Sequence, residues 1–351
     1  MQHTNTVEKL PTSRETRNRT SGTPRILLCL DRSELSETIL SYAVTLTRAV
    51  AGSLTLMHVV ESPCDASSNV HDVLVWELKR HKARQYLDQL LKRIGNLDVP
   101  ATLQIGEGKA AEQILGFIRQ NPVDFVILSS HGTHGLAEWS LSSTAAKVVG
   151  RTHSSFIIVP ATPMYQHAGM ETSIRRILVP LDDSLASQAC LPIAIRIARH
   201  KDAELILMHA IEPATFTHLP GMSRTDLKIV DDASNILEST ARKYFNQIAE
   251  RLRNDGLRVS VVIEPNSNPI ALISKTITDM DVDFIAMSAH GSSGSEEYPL
   301  ARTSAHMASH TPVPLLIVQD LEKEKIAKAL IRRRYDRVPS RNSKPVTEET
   351  G

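Results

Sequence analysis

Arg25-Ile-Leu-Leu-Cys-Leu-Asp31-Arg-Ser33 is a short apolar run closed by an acid and a serine, and it returns as Arg176-Ile-Leu-Val-Pro-Leu-Asp182-Asp-Ser184. Working outward, Leu54-Thr-Leu-Met-His58-Val-Val-Glu61 returns as Leu205-Ile-Leu-Met-His209-Ala-Ile-Glu212. Val123-Asp-Phe-Val-Ile-Leu-Ser-Ser-His131-Gly132 returns as Val282-Asp-Phe-Ile-Ala-Met-Ser-Ala-His290-Gly291. The order holds across all three blocks, and the second copy is longer only between the second and third. Chance likeness of apolar strands could imitate one block, but not matching Asp, His and His-Gly positions in three. The chain is an internal repeat.

Each block has strand length, and helical patterns separate the blocks. Ile39, Leu40, Ala43, Leu46 and Val50 fall on one face of a helix over 33–50, with Ser33 placed to cap it. A longer amphipathic stretch follows at about 73–94. Then come a strand at 101–105, a helix at 110–119, a strand at 125–129, a helix at 143–149 and a strand at 156–159. The second copy reads alike and ends at 315–318. Strands that alternate with helices, and are apolar on both faces, make a mainly parallel sheet covered on both sides. Right-handed crossovers then give two tandem doubly wound α/β domains, each a five-stranded sheet flanked by helices.

Forty basic residues against 39 acidic ones leave a formal charge of +1 over 351 residues, which supplies no global field for DNA or an anionic membrane. Aromatics at 4% argue against a stacking platform for single strands. No apolar run approaches the ~20 residues of a membrane span. Residues 1–24 are polar, without the apolar core of a signal peptide, and read as a disordered segment. Cys29, Cys64 and Cys190 are odd in number and scattered, forming neither a disulfide framework nor a zinc pattern. The expectation is a soluble, cytoplasmic protein. Domain one spans 25–160, a linker 161–174, domain two 175–319, and a helix with a basic end (Arg332, Arg333, Arg334) plus a polar tail fills 320–351.

Ligands of open parallel sheets bind beyond the carboxyl ends of the strands, where strand order reverses. Asp31, after Leu30, and Asp182 close the first strands, and their carboxylates can accept from ribose hydroxyls or an adenine amino group. An Asp there can equally be a helix cap. Val59 and Ala210 follow the histidines, where backbone groups could read an adenine edge. Ser129-Ser-His-Gly132 and Ser288-Ala-His-Gly291 lead to the next helix, whose amino end is an expected anion site.

Ile177-Leu-Val-Pro-Leu-Asp-Asp-Ser184, the strand ending in Met-His, and the His-Gly turn together resemble the universal stress protein family, over both copies. The resemblance implies an adenine nucleotide alpha hydrolase-like fold and, in ATP-binding members, Gly-x-x-Gly, nine residues, then Gly-Ser/Thr after the fourth strand. The matching positions are Ser129, Gly132, Ser142 and Ser143, with Thr144 beside them, and Ser288, Gly291, Ala301 and Arg302 in the second copy. Only the middle glycine is kept in either. Carried over residue by residue, the adenine-nucleotide contacts are Leu30, Asp31, Val59, Ser129, Gly132, Ser142, Ser143 and Thr144 in copy one, and Asp182, Ala210, Ser288 and Gly291 in copy two. ATP is expected in domain one before domain two. The resemblance further implies self-association through the last strand of each domain, within or between chains. The function it implies is a non-enzymatic stress-response protein with ATP as regulatory ligand. The alternatives are an interaction protein without nucleotide binding and a slow ATP hydrolase.

Several look-alikes read as structure. Gly106-Glu-Gly108-Lys-Ala-Ala111 imitates a dinucleotide fingerprint but follows the third strand, as a turn and helix start. His131 and His134 lie in a glycine-bearing loop without a third ligand. His58 and His209 end apolar strands as satisfied imidazoles, and Cys29, Cys190, Met57 and Met208 read as packing.

Overall fold

The structure, a computed structural model, describes residues 23–61, 70–130, 141–152, 154–160, 172–211, 224–266, 268–292 and 300–319. The expected segments at the two chain ends, the loop glycine Gly132, the pair His131 and His134, and most of the linker lie outside the described residues.

The first copy runs β1 (Arg25–Leu30), α1 (Glu34–Val50), β2 (Ser53–Val60), α2 (Val70–Gly95), β3 (Ala101–Glu107), α3 (Ala110–Gln120), β4 (Phe125–Ser129), α4 (Ser143–Val149) and β5 (Ser155–Val159). The second runs β6 (Arg176–Pro180), a 3-10 turn (Ser187–Cys190), α5 (Leu191–Lys201), β7 (Glu204–Ile211), α6 (Arg224–Asn254), β8 (Val259–Pro265), α7 (Pro269–Asp279), β9 (Phe284–Ser288), α8 (Arg302–His310) and β10 (Leu315–Val318). Helix α1 buries Ile39, Leu40, Ala43, Leu46 and Val50, the face its spacing predicts. Ser33 does stand at its N-cap, but its side chain caps no helical amide. Its hydroxyl donates to Asp31 Oδ1 at 2.6 Å, a charge-assisted bond that turns the side chain toward the acid.

All strands join one ten-stranded sheet in the order β3-β2-β1-β4-β5-β10-β9-β6-β7-β8. Within each copy every pairing is parallel, so the two halves are the expected doubly wound domains. The halves meet where β10 pairs antiparallel with β5, Leu316 opposite Ile157. The expected association through the last strands thus takes place inside one chain. Both of these edges are consumed by it, and the sheet's outer strands are β3 and β8.

The junction is as apolar as a domain interior. Every residue of β5 and of β10 is buried, and Phe156 and Phe284 rank among the largest fully buried side chains. On one sheet face α1 packs against α5, and Tyr42 of the first copy stacks on Phe284 of the second with centroids 6.3 Å apart. Thr45 Oγ1 lies 3.1 Å from Thr172 Oγ1, and the Gln319 amide donates to Ser155 Oγ at 3.1 Å. One apolar cluster on each face runs through both copies.

Because one antiparallel pairing joins two parallel halves, the carboxyl ends of the strands point one way in copy one and the opposite way in copy two. Any two clefts built there open at opposite ends of the sheet. Among the described residues, no helix is long and apolar enough to cross a membrane.

Candidate functional site

Strand order reverses between β1 and β4 in the first copy and between β6 and β9 in the second. Leu30, Asp31, Val59 and Ser129 stand at the carboxyl ends of their strands around the first switch point, with Ser142, Ser143 and Thr144 arriving from the loop. The Ser142 amide donates to the Ser130 carbonyl at 2.6 Å, and the Ser130 amide donates to the Val159 carbonyl at 2.9 Å. These two bonds pin the start of α4 to the end of β4. The copy-two equivalents repeat them: Ala301 donates to Ala289 and Ala289 to Val318, at 2.9 and 2.8 Å.

The two acids are held alike. Asp31 Oδ1 accepts from the Ser33 amide at 3.0 Å as well as from its hydroxyl. Asp182 Oδ1 accepts from the Ser184 amide at 2.8 Å and from its hydroxyl. These are local turns rather than helix caps. Asp182 does more: its Oδ2 accepts from the Ser292 amide at 2.7 Å, tying the end of β6 to the turn after β9. Although burial opposes ionisation, the hydrogen bonds from Ser184, Ser292 and Ser187 hold its carboxyl below the usual carboxylate range.

Gly291 explains itself through that contact. A Cβ built there would collide with the Asp182 carboxylate, so this glycine makes room for the acid. Phosphate need not enter the explanation.

The histidines belong to the framework. His58 Nδ1 sits 2.8 Å from the Leu30 carbonyl, and His209 Nδ1 sits 2.9 Å from the Leu181 carbonyl. His209 also stacks on Phe245 at 4.6 Å. Burial is the main cause that pushes the His58 imidazole below its ordinary value. Met57 and Met208 are buried, and half-buried Cys29 packs against their cluster, its thiol pushed up to about 12 by desolvation. Gly108, at φ +114°, makes the turn into α3, and Gly106 lies close beneath Val59. Among the described residues, no group of three or more His, Cys, Asp or Glu side chains could hold a metal ion.

Two expectations need correction. Helix α4 spans only seven residues, and Ser142 Oγ accepts from the Ala145 amide at 3.2 Å. That cap takes the Ala145 amide out of the expected anion site and leaves exposed Ser143 and half-buried Thr144 at the helix start. In the second copy Ser288 does not face an open cleft. Its hydroxyl donates to the Ser187 carbonyl at 2.8 Å and accepts from the Cys190 amide at 3.1 Å, fastening the 3-10 turn to β9. Ser129, at the matching position, is half-buried, with no such tether.

Ser187, Gln188 and Tyr244 were not singled out in the sequence. Ser187 Oγ donates to the Asp182 and Ser184 carbonyls, and Gln188 donates to the Tyr244 hydroxyl at 2.8 Å. Ser184-Leu-Ala-Ser187, two serines one helical turn apart beside an acid, was the available signal.

Two tandem parallel α/β units, each with an acid at its switch point, define the class. The universal stress protein family model matches residues 22–160 and again 173–319, and the chain belongs to that family. Universal stress protein YxiE of Bacillus subtilis is 25% identical over 146 residues, covering 41% of this chain and 98% of the relative. Universal stress protein A of Escherichia coli is 24% identical over 137 residues, covering 38% of this chain and 92% of the relative. Both relatives therefore match one copy's worth of sequence. A solved universal stress protein from Archaeoglobus fulgidus shares the fold of both copies at 20% identity, with a TM-score of 0.57 over 85% of this chain and 98% of that one.

Proposed function

We infer that the chain is a cytoplasmic stress-response protein that works by binding rather than catalysis, and that its first copy takes an adenine nucleotide, ATP, as a regulatory ligand. The observation that supports this is the contrast between Ser129 and Ser288. Ser288 spends its hydroxyl inside the protein, whereas Ser129 has no corresponding tether among the described residues. The oriented carboxylate of Asp31 closes the adjacent strand β1, and Ser143 and Thr144 open α4, whose start is bonded to the end of β4 through Ser142 and Ser130. In this reading Asp31 accepts from the ribose or the adenine amino group, the backbone at Val59 meets the base edge, and Ser129, Ser143 and Thr144 donate to phosphate oxygens. The histidines and Cys29 are committed to the framework, which argues against acid–base or nucleophilic roles for them.

A second reading, an interaction protein without nucleotide binding, is favoured by copy two. There the acceptors of Asp182 and the hydroxyl of Ser288 are all used internally, and Arg302 stands where copy one has Ser143. The two readings part in one experiment. The purified chain is denatured, any released nucleotide is identified, and ATP is titrated into the parent and into Asp31→Ala. The expected result is one nucleotide per chain, with binding weakened at least ~10-fold by the change. Unchanged affinity in Asp31→Ala would remove the proposed site. No binding by the parent would leave the interaction reading, and turnover abolished by a single substitution would replace both with an enzyme.

A further inference from the structure

Strands β3 and β8 are the two outer edges of the sheet, and outer edges expose unpaired amides and carbonyls. The registers Leu54 opposite Ala101 and Leu205 opposite Val259 equate the two strands residue by residue. The preceding helices follow in step. Asp98 and Gly256, both at positive φ, fall together, as do Gly95 with Arg253 and Arg84 with Arg242. The Leu54 amide donates to the Pro100 carbonyl and the Leu205 amide to the Arg258 carbonyl. Ala101, Leu103 and Ile105, like Val259, Val261 and Ile263, therefore turn their backbone groups outward.

The second copy seals its edge. Arg253 donates twice to the Val259 carbonyl, at 3.0 and 2.7 Å, and Arg242 donates to the Ile263 carbonyl at 3.2 Å. A proline ends the strand. The two clamp positions are filled differently in the first copy. Gly95 has no side chain where Arg253 stands, and Arg84 turns to Asp88, its Nε 3.7 Å from the carboxylate. The Ile105 carbonyl accepts from the side-chain amide of its neighbour Gln104 at 3.2 Å, and no helical arginine reaches it among the described residues. A groove of about 510 Å³ remains between α2 and β3, with Glu77, Arg80, His81 and Arg84 on its helical wall and Glu107 on the strand, where Arg80 Nε lies 3.6 Å from the Glu107 carboxylate.

That helix is also charged differently. Lys79, Arg80, His81, Lys82 and Arg84 are all exposed, with no acid between Leu78 and Arg84, whereas the matching stretch of α6 reads Leu237-Glu-Ser-Thr-Ala-Arg242. Thus an open hydrogen-bonding edge runs beneath a basic helix.

We propose that β3 is a docking edge for an extended acidic peptide segment of a partner protein, which adds as an eleventh strand and sets alternate carboxylates against α2. Its main chain pairs with Ala101, Leu103 and Ile105, and its acids displace the exposed carboxylates of Glu107 and Asp88 from Arg80 and Arg84. Nucleic acid would answer the charge but not the ladder of outward amides, so the peptide is the occupant favoured here.

The test uses the full chain and a fluorescein-labelled decapeptide of alternating Glu and Val. Binding is followed by anisotropy, beside the Lys/Val peptide, an N-methylated Glu/Val peptide and a single-stranded oligonucleotide. The variants are Arg84→Glu and Gly95→Arg. The latter transplants the copy-two clamp into a position where an added Cβ meets nothing within 4 Å. The expected result is binding of the Glu/Val peptide alone, weakened about 10-fold by Arg84→Glu and lost on N-methylation. Gly95→Arg weakens it several-fold although it adds positive charge, which separates backbone pairing from electrostatics. Failure of the Glu/Val peptide to bind, indifference to N-methylation and to Gly95→Arg, or tighter binding of the oligonucleotide would each overturn the proposal.

Discussion

The carboxylate of Asp182 occupies the space that a side chain at Gly291 would need. The acid closes β6, the glycine follows β9, and Ser292 donates to the same carboxylate at 2.7 Å. Loss of this contact should loosen copy two at its carboxyl edge. Gly291→Ala is expected to destabilise the chain by about 1–3 kcal/mol, as overpacking of a tight site does. In an Asp182→Ala background most of that cost should vanish, since the obstacle is gone. Chemical denaturation of the two single variants and the double variant measures the coupling. Equal costs of Gly291→Ala in both backgrounds would show that the two residues act independently.

His58 gives a pH dependence whose sign is fixed by its surroundings. Burial lowers its pKa, so on acidification the unfolded chain takes up a proton more readily than the folded one. Stability attributable to His58 is full above its unfolded value of about 6.5 and falls as pH drops below it. His58→Asn keeps a side-chain donor for the Leu30 carbonyl and removes the titration. Urea midpoints at about pH 7.5 and about pH 5.5 should therefore separate less in the variant than in the parent. Identical separations would mean that His58 takes up its proton equally well in both states.

What the sequence revealed and what it hid divide along the length scale of the interaction. Asp31, His58 and the three repeated blocks disclosed the fold, because periodicity of two and 3.6 is written within each element. The strand ends that gather Asp31, Val59 and Ser129 followed from parallel topology alone. Ser33 shows the limit at short range: a serine before a helix reads as a cap, yet a carboxylate two residues earlier takes its hydroxyl. Ser288 shows the limit at long range. Nothing near Ser288 in sequence says that its hydroxyl will meet the carbonyl of Ser187, since that pairing depends on how α5 enters the sheet. The clamps on β8 were hidden for the same reason, as an arginine late in a long helix looks like any solvated charge.

Ser288→Ala should then cost stability rather than create a site. The Cys190 amide donates to Ser288 and the Ser288 hydroxyl donates to the Ser187 carbonyl, so the change removes two buried hydrogen bonds. About 1–3 kcal/mol of destabilisation is expected. Ser129→Ala, at the matching position, should cost well under half of that. Parallel thermal melts of the two variants decide it, and equal losses would contradict the asymmetry between the copies.

The antiparallel pairing of β5 with β10 carries the last expectation. Every residue of both strands is buried, and Phe156 lies opposite Ile317 at the seam. Phe156→Ala in the full chain should cost about 3–5 kcal/mol, because the cavity opens where the two copies share a core. A fragment ending at residue 160 uncovers the β5 edge together with the apolar face of α1 that Phe284 and α5 had covered. An edge that apolar pairs with whatever offers a complementary strand, and the nearest complement is another fragment. Sedimentation analysis of residues 23–160 should show dimers or larger species, whereas adding a fragment of residues 172–319 should convert them to a one-to-one complex. A fragment that stays monomeric at tens of micromolar and ignores its counterpart would mean that the seam contributes little to holding the copies together.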